Sequence, residues 1–152
     1  MPGPSDPFDL QRFLDAQRAS YGQALAELRA GQKQTHWSWY IFPQVLGLGS
    51  SAMSVRYAIR SLAEARAYLA HPVLGARLLE CIGALRAHAA QGAELVLGDI
   101  DAQKFRSCLT LFDRADSRNP LYGEALASFF AGRGDAATLA ILDRQRGNGS
   151  GS

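Results

Sequence analysis

Apolar residues recur at intervals of three and four along most of the chain, the period of a helix that buries one face. Leu10, Phe13, Leu14, Gln17, Tyr21, Ala24, Leu25 and Leu28 lay down the first such stripe, and Gly31 ends it. Ser20-Tyr-Gly-Gln23 has capping-box spacing inside that run, so the segment is one helix or two that meet at Ser20. Either version buries the same face. Ser61-Leu-Ala-Glu64 has the same spacing and predicts a helix through Leu69, stopped at His71-Pro72 because the residue before proline avoids the helical region. Val73, Leu74, Arg77, Leu78, Cys81, Ile82 and Leu85 predict the next helix, ending near Gln91-Gly92, and its length argues for a central, buried place. Glu94-Leu-Val-Leu97 is too short to assign. Gly98-Asp-Ile-Asp101 predicts a turn into a helix that sends Phe105, Leu109 and Phe112 inward, with Asp101 as its cap. Asn119-Pro120 opens a helix that carries Leu126, Phe129 and Phe130, and Asp135 caps Ala136 to Leu142.

Gln34 to Gly49 breaks the helical period. Its residues are aromatic and β-branched, then Gly47 and Gly49 interrupt any regular element, which predicts an ordered loop with some strand-like geometry. No convincing alternating strand and no internal repeat is present. The prediction is an all-α fold, a single compact domain of about seven short helices with one long aromatic-rich loop. Residues 6–145 form that domain, and residues 1–5 and 146–152 are read as flexible ends because Gly147-Asn-Gly-Ser-Gly-Ser152 has linker composition.

Composition narrows the class without naming a function. A chain of 152 residues with 47% hydrophobic and 20% charged residues has the balance of one globular domain. Sixteen basic residues against fourteen acidic ones give a net charge of +2, and the arginines are scattered, so the chain carries no nucleic-acid footprint. No apolar run reaches the length of a membrane span, and the first residues lack a signal peptide's basic start and apolar stretch, so a cytoplasmic location is expected. Cys81 and Cys108 lack metal-ligand spacing and read as reduced, buried thiols. Neither a metal nor a cofactor is expected, since no phosphate-binding glycine loop, zinc signature, nucleophile elbow or dinucleotide fingerprint occurs. The oligomeric state stays open.

Three constellations carry candidate chemistry. In His36-Trp37-Ser-Trp39-Tyr40-Ile-Phe42-Pro43-Gln44 both tryptophans of the chain share one loop with two more aromatics. Such a cluster can stack a flat ligand while Gln44 reads a base edge, or it can plug the core beneath a long connection. Asp101, Lys104, Ser107 and Thr110 fall near one helical face, where an acid, a base and hydroxyls can converge; a cap followed by a surface ion pair uses the same spacing. Glu64 stands at a helix start, where the dipole favours its ionised form, suited to a base or nucleophile as well as to a plain cap.

Taken in order, His36-Trp37-x-Trp39-Tyr-Ile-Phe42-Pro43-Gln44, Gly47-x-Gly49, Glu64-Ala65-x-x-Tyr68-Leu69-x-His71-Pro72-Val-Leu74-Gly75, Asp101-x-x-Lys104-x-x-Ser107 and Phe130-Ala-Gly132-x-x-Asp135-x-x-Thr138-Leu139 resemble domain-of-unknown-function family 1810. That family is sometimes mislabelled calpastatin, a label that nothing repeated or inhibitory in this chain supports. The chain departs from the family pattern at Val96-Leu97-Gly98 and Cys108-Leu109, neither of which removes a candidate chemical group.

The family distantly resembles YbiA-like, or NADAR, proteins, which act on N-glycosidic bonds in riboflavin-pathway intermediates or ADP-ribose conjugates. The resemblance implies an N-glycosidase for a ribosylated nucleotide or ADP-ribose-related metabolite. Glu64, Asp101 and Lys104 would be catalytic, and His36, Trp37, Trp39, Phe42, Gln44 and Ser107 would bind the ligand, with Trp39 stacked on the base. The rival readings are a non-catalytic module for the same nucleotide or ADP-ribose-like ligand and a protein-interaction domain. Glu64 discriminates between them: a hydrolase needs its carboxylate beside Lys104, whereas a binding module does not.

Overall fold

In the computed structural model, which describes residues 5–148, the first apolar stripe forms one uninterrupted helix, α1 (Gln11–Ala30). Asp6 starts it: its carboxylate accepts the Leu10 and Gln11 N–H groups at 2.8 and 3.0 Å. Ser20 does not divide it, because the Ser20 hydroxyl accepts from Tyr40 at 3.0 Å and caps nothing. Gly31 ends it at φ 75°, a left-handed conformation that a side chain would oppose. The Gln32 N–H then returns to the Glu27 carbonyl and the Gly31 N–H to the Leu28 carbonyl, which satisfies two of the helix's last acceptors.

The aromatic segment follows as a short helix, α2 (Ser38–Ile41), and a loop through Gly49. Its strand-like character amounts to one isolated parallel bridge, in which Ile59 donates to the Gln44 carbonyl and Leu46 donates to that of Ile59, each at 2.8 Å. Glu27 ties the segment to α1. Although only 4% exposed, its carboxylate accepts from the Gln34 and Thr35 N–H groups at 2.7 and 2.9 Å, and from Thr35 Oγ1, Gln23 Nε2 and Trp37 Nε1 at 2.6, 2.8 and 3.0 Å. Burial pushes this carboxyl upward, but the Thr35, Gln34 and Gln23 donors outweigh it and hold the pKa at about 2.

Helices α3 (Ala52–Arg56) and α4 (Leu62–Ala70) come next, each capped as its sequence allows: Ser51 Oγ accepts from the Ser54 N–H and Ser61 Oγ from the Glu64 N–H, both at 3.1 Å. At the corner after α4, the His71 Nδ1 accepts the Val73 and Leu74 N–H groups at 3.1 and 3.2 Å and so caps α5 (Leu74–Arg86). Gly75 is required there, since a Cβ would lie 2.2 Å from the Leu69 carbonyl oxygen. The central element is not α5, whose outer face stays exposed. It is α7 (Asp99–Ala115), which packs against α2, α4, α6 (Ala93–Leu97), α8 (Leu121–Phe130) and α9 (Ala136–Asn148). Phe105, Leu109 and Phe112 of α7 are fully buried, as their spacing predicts.

Gly98, at φ 86°, rather than Asp101, stands at the start of α7; Asp101 lies inside the first turn and spends its carboxylate on lysines. Asn119 Oδ1 accepts from the Leu121 N–H at 3.0 Å and Asp135 Oδ2 from the Thr138 N–H at 2.9 Å, so both of those predicted caps are present. Cys81 and Cys108 are free and buried, and burial pushes the Cys81 thiol up to about 12. Among the described residues the fold is all-α, with nine helices where about seven were expected, the surplus being helices of four or five residues. None of these helices is long and apolar enough to cross a membrane. Helix α9 runs three residues past Gln145, to Asn148; residues 1–4 and 149–152 of the expected flexible ends lie outside the described residues.

Glu27→Gln is expected to lower stability by about 2–3 kcal/mol at neutral pH, since an amide cannot accept every donor a carboxylate holds. The folded pKa lies below the ordinary value near 4.5, so the stabilisation from Glu27 is complete above pH 4.5 and is lost as pH falls toward about 2. Urea denaturation at pH 7 and pH 3 should show the gap between wild type and variant narrowing at pH 3. An equal gap at both would contradict the assignment.

Candidate functional site

The nine predicted site residues divide among three environments. Trp37 and Phe42 are each 1% exposed and belong to the core. The Trp37 ring meets Phe42 at 6.0 Å between centroids, and Phe42 packs at a tilt against Phe105 of α7 at 4.8 Å. Phe42 is sealed by that packing, which corrects the binding role expected for it, whereas Trp37, though only 1% exposed, is among the residues around the smaller of two clefts at Lys104. Trp37 immediately precedes α2 and Trp39 is its second residue, and side chains two apart on a helical turn point in nearly opposite directions. Burying Trp37 therefore turns Trp39 outward, where it is partly exposed beside the exposed His36.

The second environment forms around Lys104, on the first turns of α7. Its ammonium lies 4.5 Å from the Trp39 ring centroid and 3.4 Å from Asp101 Oδ1. Lys33 reaches Asp101 Oδ2 at 2.9 Å, lies 4.9 Å from the centroid of the Trp37 ring, and donates to the Thr35 carbonyl. Its backbone is fixed by an N–H bond of 2.8 Å to the Val96 carbonyl. Burial pushes the Asp101 carboxyl upward, but the hydrogen bond and charge of Lys33, then those of Lys104, hold it below its ordinary value. Two ammoniums thus share one ionised carboxylate.

Lys104 stands on the wall between two clefts. The larger, about 550 Å³, has Gln44, Ser54, Asp99, Gln103, Lys104, Ser107 and Asp135 on its polar side and Leu48 and Ile100 on its apolar side. The smaller, about 250 Å³, is formed by His36, Trp37, Ser38, Trp39, Ile100 and the Lys33–Asp101–Lys104 triad. Most of the polar groups in the larger cleft are already oriented. Asp135 Oδ1 accepts from Gln103 Nε2 at 2.7 Å, and the Ser107 hydroxyl donates to the Gln103 carbonyl at 3.1 Å. Thr110 donates to the Arg106 carbonyl and accepts from the Asp135 N–H, each at 2.8 Å, so it is a brace for α9 rather than a free hydroxyl.

Glu64 occupies the third environment. It is 2% exposed, and its two oxygens are engaged: Oε2 with Arg12 Nη2 at 2.7 Å, Oε1 with the Arg60 N–H at 3.1 Å. Arg12 spends every remaining N–H on backbone carbonyls, those of Arg56, Phe8, Asp9 and Ala58 at 2.7 to 2.9 Å. The cavity of about 580 Å³ beside them holds neither Asp101 nor Lys104. The convergence expected of Glu64, Asp101 and Lys104 is therefore limited to the last two. Sequence reasoning passed over Arg12, Lys33, Ser38 and Gln103, and saw Asp135 only as a cap. Lys33, next to the aromatic segment, is the one that proximity in sequence could have raised.

Comparison with other proteins adds a family and a fold neighbour. The chain is similar in structure to the conserved hypothetical protein Rv1873 from Mycobacterium tuberculosis, with a TM-score of 0.89 and 46% sequence identity over 91% of this chain and 99% of that one. No curated protein matches it. The sequence model described as "Protein of unknown function (DUF1810)" covers residues 7–142, nearly the whole of the helical core and both clefts at Lys104, and the chain belongs to that family.

Proposed function

We propose that the protein is a binding module for a small nucleotide or ADP-ribose-like ligand, held in the clefts that meet at Lys104. The position of Lys104 carries this reading. One ammonium, largely sheltered and braced on an indole face, serves the wall of two clefts at once. Gln44, Gln103 and Asp135 supply the paired donors and acceptors that sugar hydroxyls and a base edge require, and Leu48 and Ile100 give a flat group an apolar support. The likeness of the Asp101-x-x-Lys104 pair to that of YbiA-like, or NADAR, proteins supports a ribosylated ligand.

Geometry favours binding over N-glycoside hydrolysis. Cleavage needs a carboxylate free to activate water or to stabilise positive charge at the anomeric carbon. Glu64 has both oxygens engaged and lines a different cavity. Asp101 is ionised, yet both its oxygens face ammoniums, which lowers its basicity. Asp99, exposed on the larger cleft, is the carboxylate beside Lys104 on which a hydrolytic reading would have to rest.

Calorimetry with ADP-ribose and with ribosylated riboflavin-pathway intermediates should find at least one ligand, and Lys104→Met should weaken it by about tenfold or more, the loss of one charge-assisted contact. Chromatography of the same mixtures should show no released base. Base release by wild type that Asp99→Asn or Asp101→Asn abolishes would replace the binding module with a hydrolase, and absence of binding to the whole panel would remove the ligand class.

Glu64→Gln and Arg12→Met should behave oppositely to Lys104→Met. Each breaks a buried ion pair and should lower stability by about 3–5 kcal/mol, while the folded fraction keeps the wild-type Kd. Loss of binding by Glu64→Gln with unchanged stability would return that carboxylate to the site.

A further inference from the structure

The smaller cleft contains a feature that the fold itself does not use. Ser38 is 2% exposed, and its hydroxyl is the one buried side-chain polar atom without a hydrogen-bond partner among the described residues. A hydroxyl in that position has given up water and gained nothing, a loss that native folds avoid unless something else supplies the partner. Alanine would fill the same space without that loss. Ser38 is also a wall residue of the cleft it shares with His36, Trp39 and the Lys33–Asp101–Lys104 triad.

Charge and size define what can enter. Two ammoniums against one carboxylate leave an excess positive charge, and about 250 Å³ is room enough for a phosphoryl group or two. Asp101 does not exclude an oxyanion, because each of its oxygens already faces an ammonium. The two lysines differ in freedom. Lys33 is only 6% exposed and is held by Asp101, Thr35 and the Trp37 ring, so it acts as a fixed charge. Lys104 is 19% exposed and its contact with Asp101 is the longer, 3.4 against 2.9 Å, so it is the one able to turn to an incoming oxygen.

We propose that this cleft seats the phosphoryl group of the ligand, with Ser38 donating its hydroxyl hydrogen to a phosphoryl oxygen and Lys104 joining the phosphoryl and sugar compartments. The proposal rests on the binding-module reading and adds to it a substrate class, phosphorylated ligands over their unphosphorylated parents. His36, exposed at the rim, provides a further donor to the same group.

The test is calorimetric titration of wild type, Ser38→Ala, Lys104→Gln and Gln103→Ala with sodium pyrophosphate, adenosine and ADP-ribose, together with the melting temperature of each protein. Pyrophosphate should bind wild type and compete with ADP-ribose, and ADP-ribose should bind at least about tenfold more tightly than adenosine. Ser38→Ala should lose about tenfold in affinity for both phosphorylated compounds, leave adenosine unchanged, and melt no lower than wild type. Lys104→Gln should lose pyrophosphate as well. The proposal is overturned if pyrophosphate does not bind, or binds Ser38→Ala and Lys104→Gln as it binds wild type. It is overturned equally if Ser38→Ala melts lower with unchanged affinities, which would make the hydroxyl structural. If Gln103→Ala leaves ADP-ribose binding intact while Ser38→Ala still weakens pyrophosphate, the larger cleft loses its role and the phosphoryl seat survives alone.

Discussion

A carboxylate removed from water must find its donors within the fold, and Glu27 finds five of them in one helix and the segment that follows it. Three of these donors are on Gln34 and Thr35, and one is the indole of Trp37, so satisfying a single acidic group fixes the exit of the chain from α1. An unsatisfied buried charge is costly enough that the segment has no comparable alternative path. With Trp37 held inward, Trp39 faces outward, Lys104 settles against its ring, and the polar wall of both clefts follows. The candidate site thus depends on a residue that never touches it.

Arg12 and Glu64 solve the same problem elsewhere. Burying a guanidinium is tolerated when every N–H has an acceptor, and Arg12 reaches that state by gathering four carbonyls and one carboxylate. This clasp joins α1 to the start of α4 and to the turn at Arg56–Ala58. Glu64 also receives the Arg60 N–H, one residue before the position a reciprocal capping box would use. A residue whose spacing reads as a cap is therefore the counter-ion of a buried arginine, and both its oxygens are committed to holding the fold.

What the sequence disclosed follows from the range of each interaction. Ser61, Asn119 and Asp135 each cap within three residues of themselves, so local spacing announces them. The inward phenylalanines of α7 follow from its period. Asp101 failed as a cap because Gly98, free to adopt positive φ, starts the helix one turn earlier and leaves the acid to the lysines. Glu64 was misplaced because its partner lies 52 residues away and no periodicity links the two. The aromatic segment was recognised as special but not resolved, since a core plug and a ligand wall use the same residues. The structure contains both, Trp37 and Phe42 as the plug and Trp39 with His36 as the wall.

That division between the two indoles is directly measurable. The chain has two tryptophans, so a nitrogen-15 correlation spectrum gives one indole signal for each, assigned with a Trp39→Phe variant. On titration with ADP-ribose the Trp39 signal should move progressively, while the Trp37 signal, held by Glu27, keeps its position and its protection from exchange. Movement of Trp37 alone, or of neither indole, would contradict a site built on the outer face of a loop whose inner face is locked.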